Sequence, residues 1–178
     1  PDAAIVRRVL DGDVDAFEQL VLRHEERVRR VVARNSRSAD VPEIAHEAFV
    51  AAYLALSSYV ETSSFEHWLV RIALRACADH WRARGRAPLV VDEAVSGELL
   101  APLADSADDR ELCEWALAQL EREDREVRTL VYFLDYSTKD CAEVLAWSES
   151  KVKIRTHRAR IRLRRILRGV LPERGRTT

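Results

Sequence analysis

The chain has 178 residues, with 29 Lys or Arg against 30 Asp or Glu and a formal net charge of −1. Five glycines, five prolines and no run of about 18 apolar residues leave no room for a membrane span or a glycine-rich fold. With no signal-peptide layout at its start, a soluble, cytoplasmic, all-α protein is expected, of one domain or two small ones. No methionine occurs, initiator included, which implies that the natural start lies elsewhere.

A short helix from Ala3 to Leu10 should end at the Asp11-Gly12 break. Asp13 is placed to cap a longer helix in which Phe17, Leu20, Val21, Val28, Val31 and Val32 recur at helical spacing. After a polar turn over 35–40, Pro42 fits the first turn of a third helix. Its expected buried stripe is Ile44, Ala45, Ala48, Phe49, Ala52, Tyr53 and Leu56. A break over 57–64 precedes a helix from about Phe65 to Arg84, with Phe65, Trp68, Leu69, Ile72, Ala73, Ala76 and Cys77 inward. The domain reading is 1–86 as one helical bundle and 87–107, with Pro88 and Pro102, as a linker. The second bundle, 108–178, carries Trp115, Tyr132, Phe133 and Trp147 in its expected core.

The stretch YSTKDCAEVLAWSESKVKIRTHRARIRLRRIL, 136–167, carries the strongest signal. Ser137 or Thr138 can cap a short helix with Cys141, Ala142, Val144 and Leu145 on its apolar face. Ser148 can cap a second helix, and Glu149 suits its dipole. That second helix offers ten Lys, Arg or His side chains to solvent, with no acid from Lys151 to Arg168. A short helix, a turn and a basic helix form the layout of a helix-turn-helix DNA reader. Segment 151–178 holds eleven cations against Glu173, about +10, whereas 89–126 holds twelve acids against three arginines, about −9. The near-neutral total is therefore no argument against DNA binding, because the local sign governs it. The acidic stretch reads as a solvated linker, with competition against DNA for the basic helix as the alternative. Cys77, Cys113 and Cys141 lack metal spacing and read as buried, reduced residues. No phosphate loop, nucleophile elbow or metal motif appears, so the chain is not expected to be an enzyme.

Both bundles together resemble the extracytoplasmic-function (ECF) sigma factors, group IV of the sigma-70 family. The carriers are DGDVDAFEQLVLRHEERVRRVV, PEIAHEAFVAAYLAL and SSFEHWLVRIALRACADHWRARGR in the first, and 116–167 in the second, most specifically SESKVKIRTHRARIRLR. The resemblance implies a protein that directs core RNA polymerase to promoters and assists melting. It implies promoter DNA and core RNA polymerase as partners, an anti-sigma factor as inhibitor, and no cofactor or metal. It assigns polymerase docking to Glu43, Ile44, His46, Glu47 and Phe49. Minus-ten contacts fall to Arg71, Arg75, Asp79, His80, Arg82, Ser63 and Ser64. Arg71, Arg75, Arg82 and Arg86 also share one helical stripe, whereas Trp68 reads as core. Minus-35 contacts fall to Ser150, Lys151, Lys153, Arg155, Thr156 and Arg158. His46 stands where the family usually has glutamine, Ala51 where it has arginine, and Arg75 where asparagine is common. Ala146 replaces a frequent glycine at a place where positive φ is wanted. The alternative is a stand-alone helix-turn-helix repressor or activator.

Overall fold

In a computed structural model the described residues are 2–36, 38–83, 115–117 and 119–170. They form α1 (Asp2–Leu10), α2 (Phe17–Asn35), α3 (Val41–Leu54), α4 (Phe65–Ala83), α5 (Arg122–Phe133), α6 (Thr138–Leu145) and α7 (Glu149–Val170). No strand occurs among them, and no described helix is long and apolar enough to cross a membrane. The expected linker, Arg86 and Cys113 lie outside the described residues.

Local chemistry sets the helix ends. Gly12 breaks the chain after α1 with φ of +108°, a conformation a Cβ would strain. Asp13 caps a 3-10 turn, Val14–Ala16, through the Ala16 N–H at 3.3 Å; α2 starts directly after it. Ser64 receives the His67 N–H at 3.1 Å at the start of α4. Ser137 and Asp140 form a reciprocal capping box at α6. Ser148 receives the Lys151 N–H at 3.2 Å at α7.

Helices α2, α3 and α4 pack around Leu20, Val28, Val31, Val32, Ile44, Leu69 and Ala73. Helix α4 buries more than the expected face: Val70, Leu74 and Ala78 are inside too, whereas Trp68, Ile72 and Ala76 are only half-buried. The reason lies in the second bundle. Leu74 and Ala78 line a groove shared with Val144 and Leu145 of α6, so α4 has protein on two sides. Three further contacts tie the bundles together. Tyr136 donates its hydroxyl to Glu66 Oε1 at 2.7 Å, the Arg34 guanidinium lies 3.8 Å from the Phe133 ring centre, and His67 stacks on Tyr136 with centroids 4.7 Å apart.

Helical spacing also assigns Ile154 and Ile161 of α7 to packing, yet both are exposed, and two residues of other elements differ as well. Trp115 is exposed, and Tyr53 sits at the surface with its ring edge-on to Phe17. Each carries an apolar body that periodicity alone assigns inward.

Candidate nucleic-acid interface

Three surfaces hold the residues expected to work. On α3, Glu43, His46 and Glu47 are exposed and share an edge, while Ile44 and Phe49 are buried in the bundle. The docking set named by resemblance is thereby divided: Ile44 and Phe49 hold the helix in place, because their apolar side chains face α2 and α4. Val50, Tyr53 and Leu54 are also exposed on α3, the last 75% exposed.

On α4, Arg71, Arg75 and Arg82 are exposed and line one groove with Arg122 and Glu126 of α5 and Val144 and Leu145 of α6. Arg71 Nη2 donates to the Glu143 carbonyl at 2.7 Å, and Arg82 pairs with Asp79 one turn back. Glu126 belongs to this cationic groove from below; burial pushes its carboxyl up, with the Arg122 charge opposing. His80 departs from the surface set. Its side chain is 6% exposed and faces Asp40, so it has no route to DNA in this arrangement. Ser64 is exposed and spent on the α4 cap, and Ser63 is half-buried with its carbonyl accepting the Tyr59 hydroxyl at 2.8 Å. Trp68 packs in a cluster with Tyr59 and Phe65, in line with a core role.

On α7, Ser150, Lys153 and Arg158 are exposed, and Thr156 is half-buried. Lys151 and Arg155 differ from the solvent-facing expectation. Arg155 Nη1 bonds Asp124 Oδ1 at 3.1 Å, its Nη2 contacts Glu123, and Lys151 Nζ reaches Glu123 Oε1 at 3.2 Å. Arg162 Nη1 takes the other Asp124 oxygen at 3.0 Å. Asp124 is 1% exposed and two guanidiniums enclose it. Burial works against the Arg155 cation, but the Asp124 hydrogen bond and the charges of Glu123, Asp124 and Glu121 outweigh it and hold its pKa above the ordinary value. The last acids of the acidic stretch are therefore structural partners of the basic helix. Lys151 also lies 3.8 Å over the Trp147 ring. The helix-turn-helix turn places Ala146 in the left-handed region, φ 53° and ψ 43°, with the Trp147 N–H returning to the Ala142 carbonyl at 2.9 Å.

Sequence reasoning found no metal spacing, yet Asp40, Glu43 and His80 each bring one donor atom within 4.8 Å of the others. Residues 40 and 80 are too far apart in sequence for any motif to register the cluster.

Comparison with known proteins fits this arrangement. Residues 20–87 match the family model of Sigma-70 region 2, and residues 115–163 match that of Sigma-70, region 4. The chain is 41% identical over 98 residues to the ECF RNA polymerase sigma-E factor of Escherichia coli, a match spanning 54% of this chain and about half, 51%, of that relative's length. It is 31% identical over 186 residues to the RNA polymerase sigma-H factor of Pseudomonas aeruginosa, covering 97% of this chain and 96% of the relative. Among solved structures, CnrH in complex with the cytosolic domain of CnrY superposes with a TM-score of 0.71 at 25% identity, over 94% of this chain and 97% of that one. The sigma factor RpoE from Bartonella quintana, solved with the anti-sigma factor NepR, gives a TM-score of 0.72 at 22% identity over 87% and 98%, and so shares the fold. With both regions in order and an end-to-end relative, the chain belongs to the sigma-70 family of RNA polymerase sigma factors, in its ECF group.

Proposed function

We propose that this chain is the promoter-specificity subunit of RNA polymerase, acting in the cytoplasm without chemistry of its own. The single observation that carries the reading is the end-to-end likeness to the sigma-H factor of Pseudomonas aeruginosa. Within 1–86, the exposed α3 edge of Glu43, His46 and Glu47 docks on core enzyme, joined by Val50, Tyr53 and Leu54. The arginines of α4, Arg71, Arg75 and Arg82, follow the minus-ten strand, with their cations on phosphates. Within 108–178, Lys153 and Arg158, with Ser150 and Thr156, meet the minus-35 major groove, while Lys151 and Arg155 steady the helix that presents them. Segment 87–107 joins the two.

An anti-sigma protein is the proposed inhibitor. CnrH, similar over nearly the whole chain, was solved bound to the cytosolic domain of a second protein. A partner spanning both bundles would cover the docking edge and the DNA face together.

Transcription by core polymerase with and without the purified chain, on genomic templates, tests the reading. Discrete new start sites and open complexes that need both components are expected. Protection of a palindromic site by the chain alone, without any gain in initiation, would replace it with the repressor reading.

A further inference from the structure

The beginning of α3 and the end of α4 meet at Asp40, Glu43 and His80. Asp40 closes the 3-10 turn Ser38–Asp40, Glu43 lies in the first turn of α3, and His80 sits one turn from the end of α4. Asp40 and His80 are buried and Glu43 is exposed, so the cluster has a closed back and an open front. The Nε2 atom of His80 is buried and has no hydrogen-bond partner among the described residues. It points at Asp40 Oδ2 from 3.5 Å. That separation exceeds the ordinary N–H···O range of about 2.7–3.2 Å. It matches two ligands of one tetrahedral ion, since bonds of about 2.1 Å at the tetrahedral angle set ligand atoms about 3.4 Å apart.

We propose that Asp40, Glu43 and His80 form a binding site for a first-row divalent cation of the zinc type. A histidine nitrogen binds metal in its neutral form, so two carboxylates and one imidazole balance a charge of +2. The nitrogen ligand selects zinc or its neighbours over calcium and magnesium, which take oxygen ligands. Three protein ligands leave a fourth position open towards solvent on the Glu43 side. Such an ion would fasten the start of α3 to the end of α4. On the proposed reading of α3 as the docking helix, occupancy also engages Glu43 and withdraws its charge from a cationic partner. Metal binding itself does not depend on that reading, and it is measured without polymerase.

The test uses the full chain, untagged and stripped with chelator, titrated with Zn2+ against a chromogenic competitor and separately with Co2+. One equivalent of zinc and the visible bands of a tetrahedral cobalt site are expected, together with a rise in thermal midpoint. Glu43→Gln should weaken binding by about tenfold or more, with the circular dichroism spectrum unchanged because the position is exposed. Asp40→Asn and His80→Ala should abolish the cobalt bands. Because those two positions are buried, the Glu43 variant keeps the test decisive if they lose the fold. Absence of stoichiometric zinc, or zinc binding untouched by Glu43→Gln, overturns the site and leaves a buried histidine–aspartate contact. Failure of the transcription assay alongside intact metal binding would strike the proposed function and leave this site standing.

Discussion

Arg71 on α4 and Glu143 on α6 are joined by a 2.7 Å hydrogen bond from guanidinium to backbone carbonyl, across 72 positions of sequence. One member of the arginine stripe thus holds the second bundle against the first. The bond takes one guanidinium nitrogen of Arg71, an exposed side chain with further N–H donors.

Tyr136 is the point at which to loosen the bundles from each other. Its buried hydroxyl donates to Glu66, and burial, then the Glu66 bond and charge, raise its pKa so that the phenol keeps its proton. Tyr136→Phe should cost about 1.5–3 kcal/mol in urea unfolding, the value of a hydrogen bond to a charged acceptor.

The acid in the second bundle matters more to stability than the cations it holds. Asp124→Asn removes a fully buried charge that receives both Arg155 and Arg162. Loss of a buried pair costs about 3–5 kcal/mol, and the partial exposure of both arginines reduces that to about 2–3 kcal/mol, read by thermal or urea unfolding.

Lys153 and Arg155 should separate in a duplex-binding assay. Lys153→Ala, at an exposed position, should lower minus-35 affinity with stability unchanged: about 1–3 kcal/mol with relaxed specificity for a base contact, or a uniform loss for a phosphate contact. Arg155→Ala should lower stability first, because it leaves Asp124 half-compensated. Equal stability of the two variants would remove the distinction.

Ala146→Gly should stabilise the chain. Alanine in the left-handed region costs roughly 1–2 kcal/mol, and the greater freedom of glycine in the unfolded chain returns part of the gain. A net rise of about 0.5–1 kcal/mol in urea unfolding is expected, with DNA affinity retained.

Cys141 and Cys77 should resist alkylation while the protein is folded. Burial raises both thiols, Cys141 to about 11, and the nearby Asp140 charge adds to the Cys141 shift. The reactive thiolate is therefore scarce at neutral pH. The folded state holds the Cys141 proton more tightly than the unfolded chain. Its contribution to stability is then complete below the ordinary thiol value of about 8.5 and is lost as pH rises towards about 11. Site-resolved mass spectrometry after iodoacetamide, with and without denaturant, checks the first point, and urea midpoints between neutral and alkaline pH check the second.

The sequence by itself determined the helices, their caps and the order of the two bundles. Ser137, Ser148, Asp13 and Gly12 act on neighbours within a turn, and helical periodicity needs only local spacing, so these features were legible without coordinates. The strained Ala146 was legible as well, through the glycine expected in its place. Tertiary structure decided which of the named side chains are available. His80 turned inward, Arg155 and Lys151 turned back to acids on α5, and Arg71 turned across to α6. No local rule could assign these, because each depends on a partner far away in sequence whose charge or apolar surface must be satisfied once both are removed from water. The Asp40–Glu43–His80 cluster belongs to the same class: its residues acquire a shared chemistry only where α3 and α4 bring them within reach of one ion.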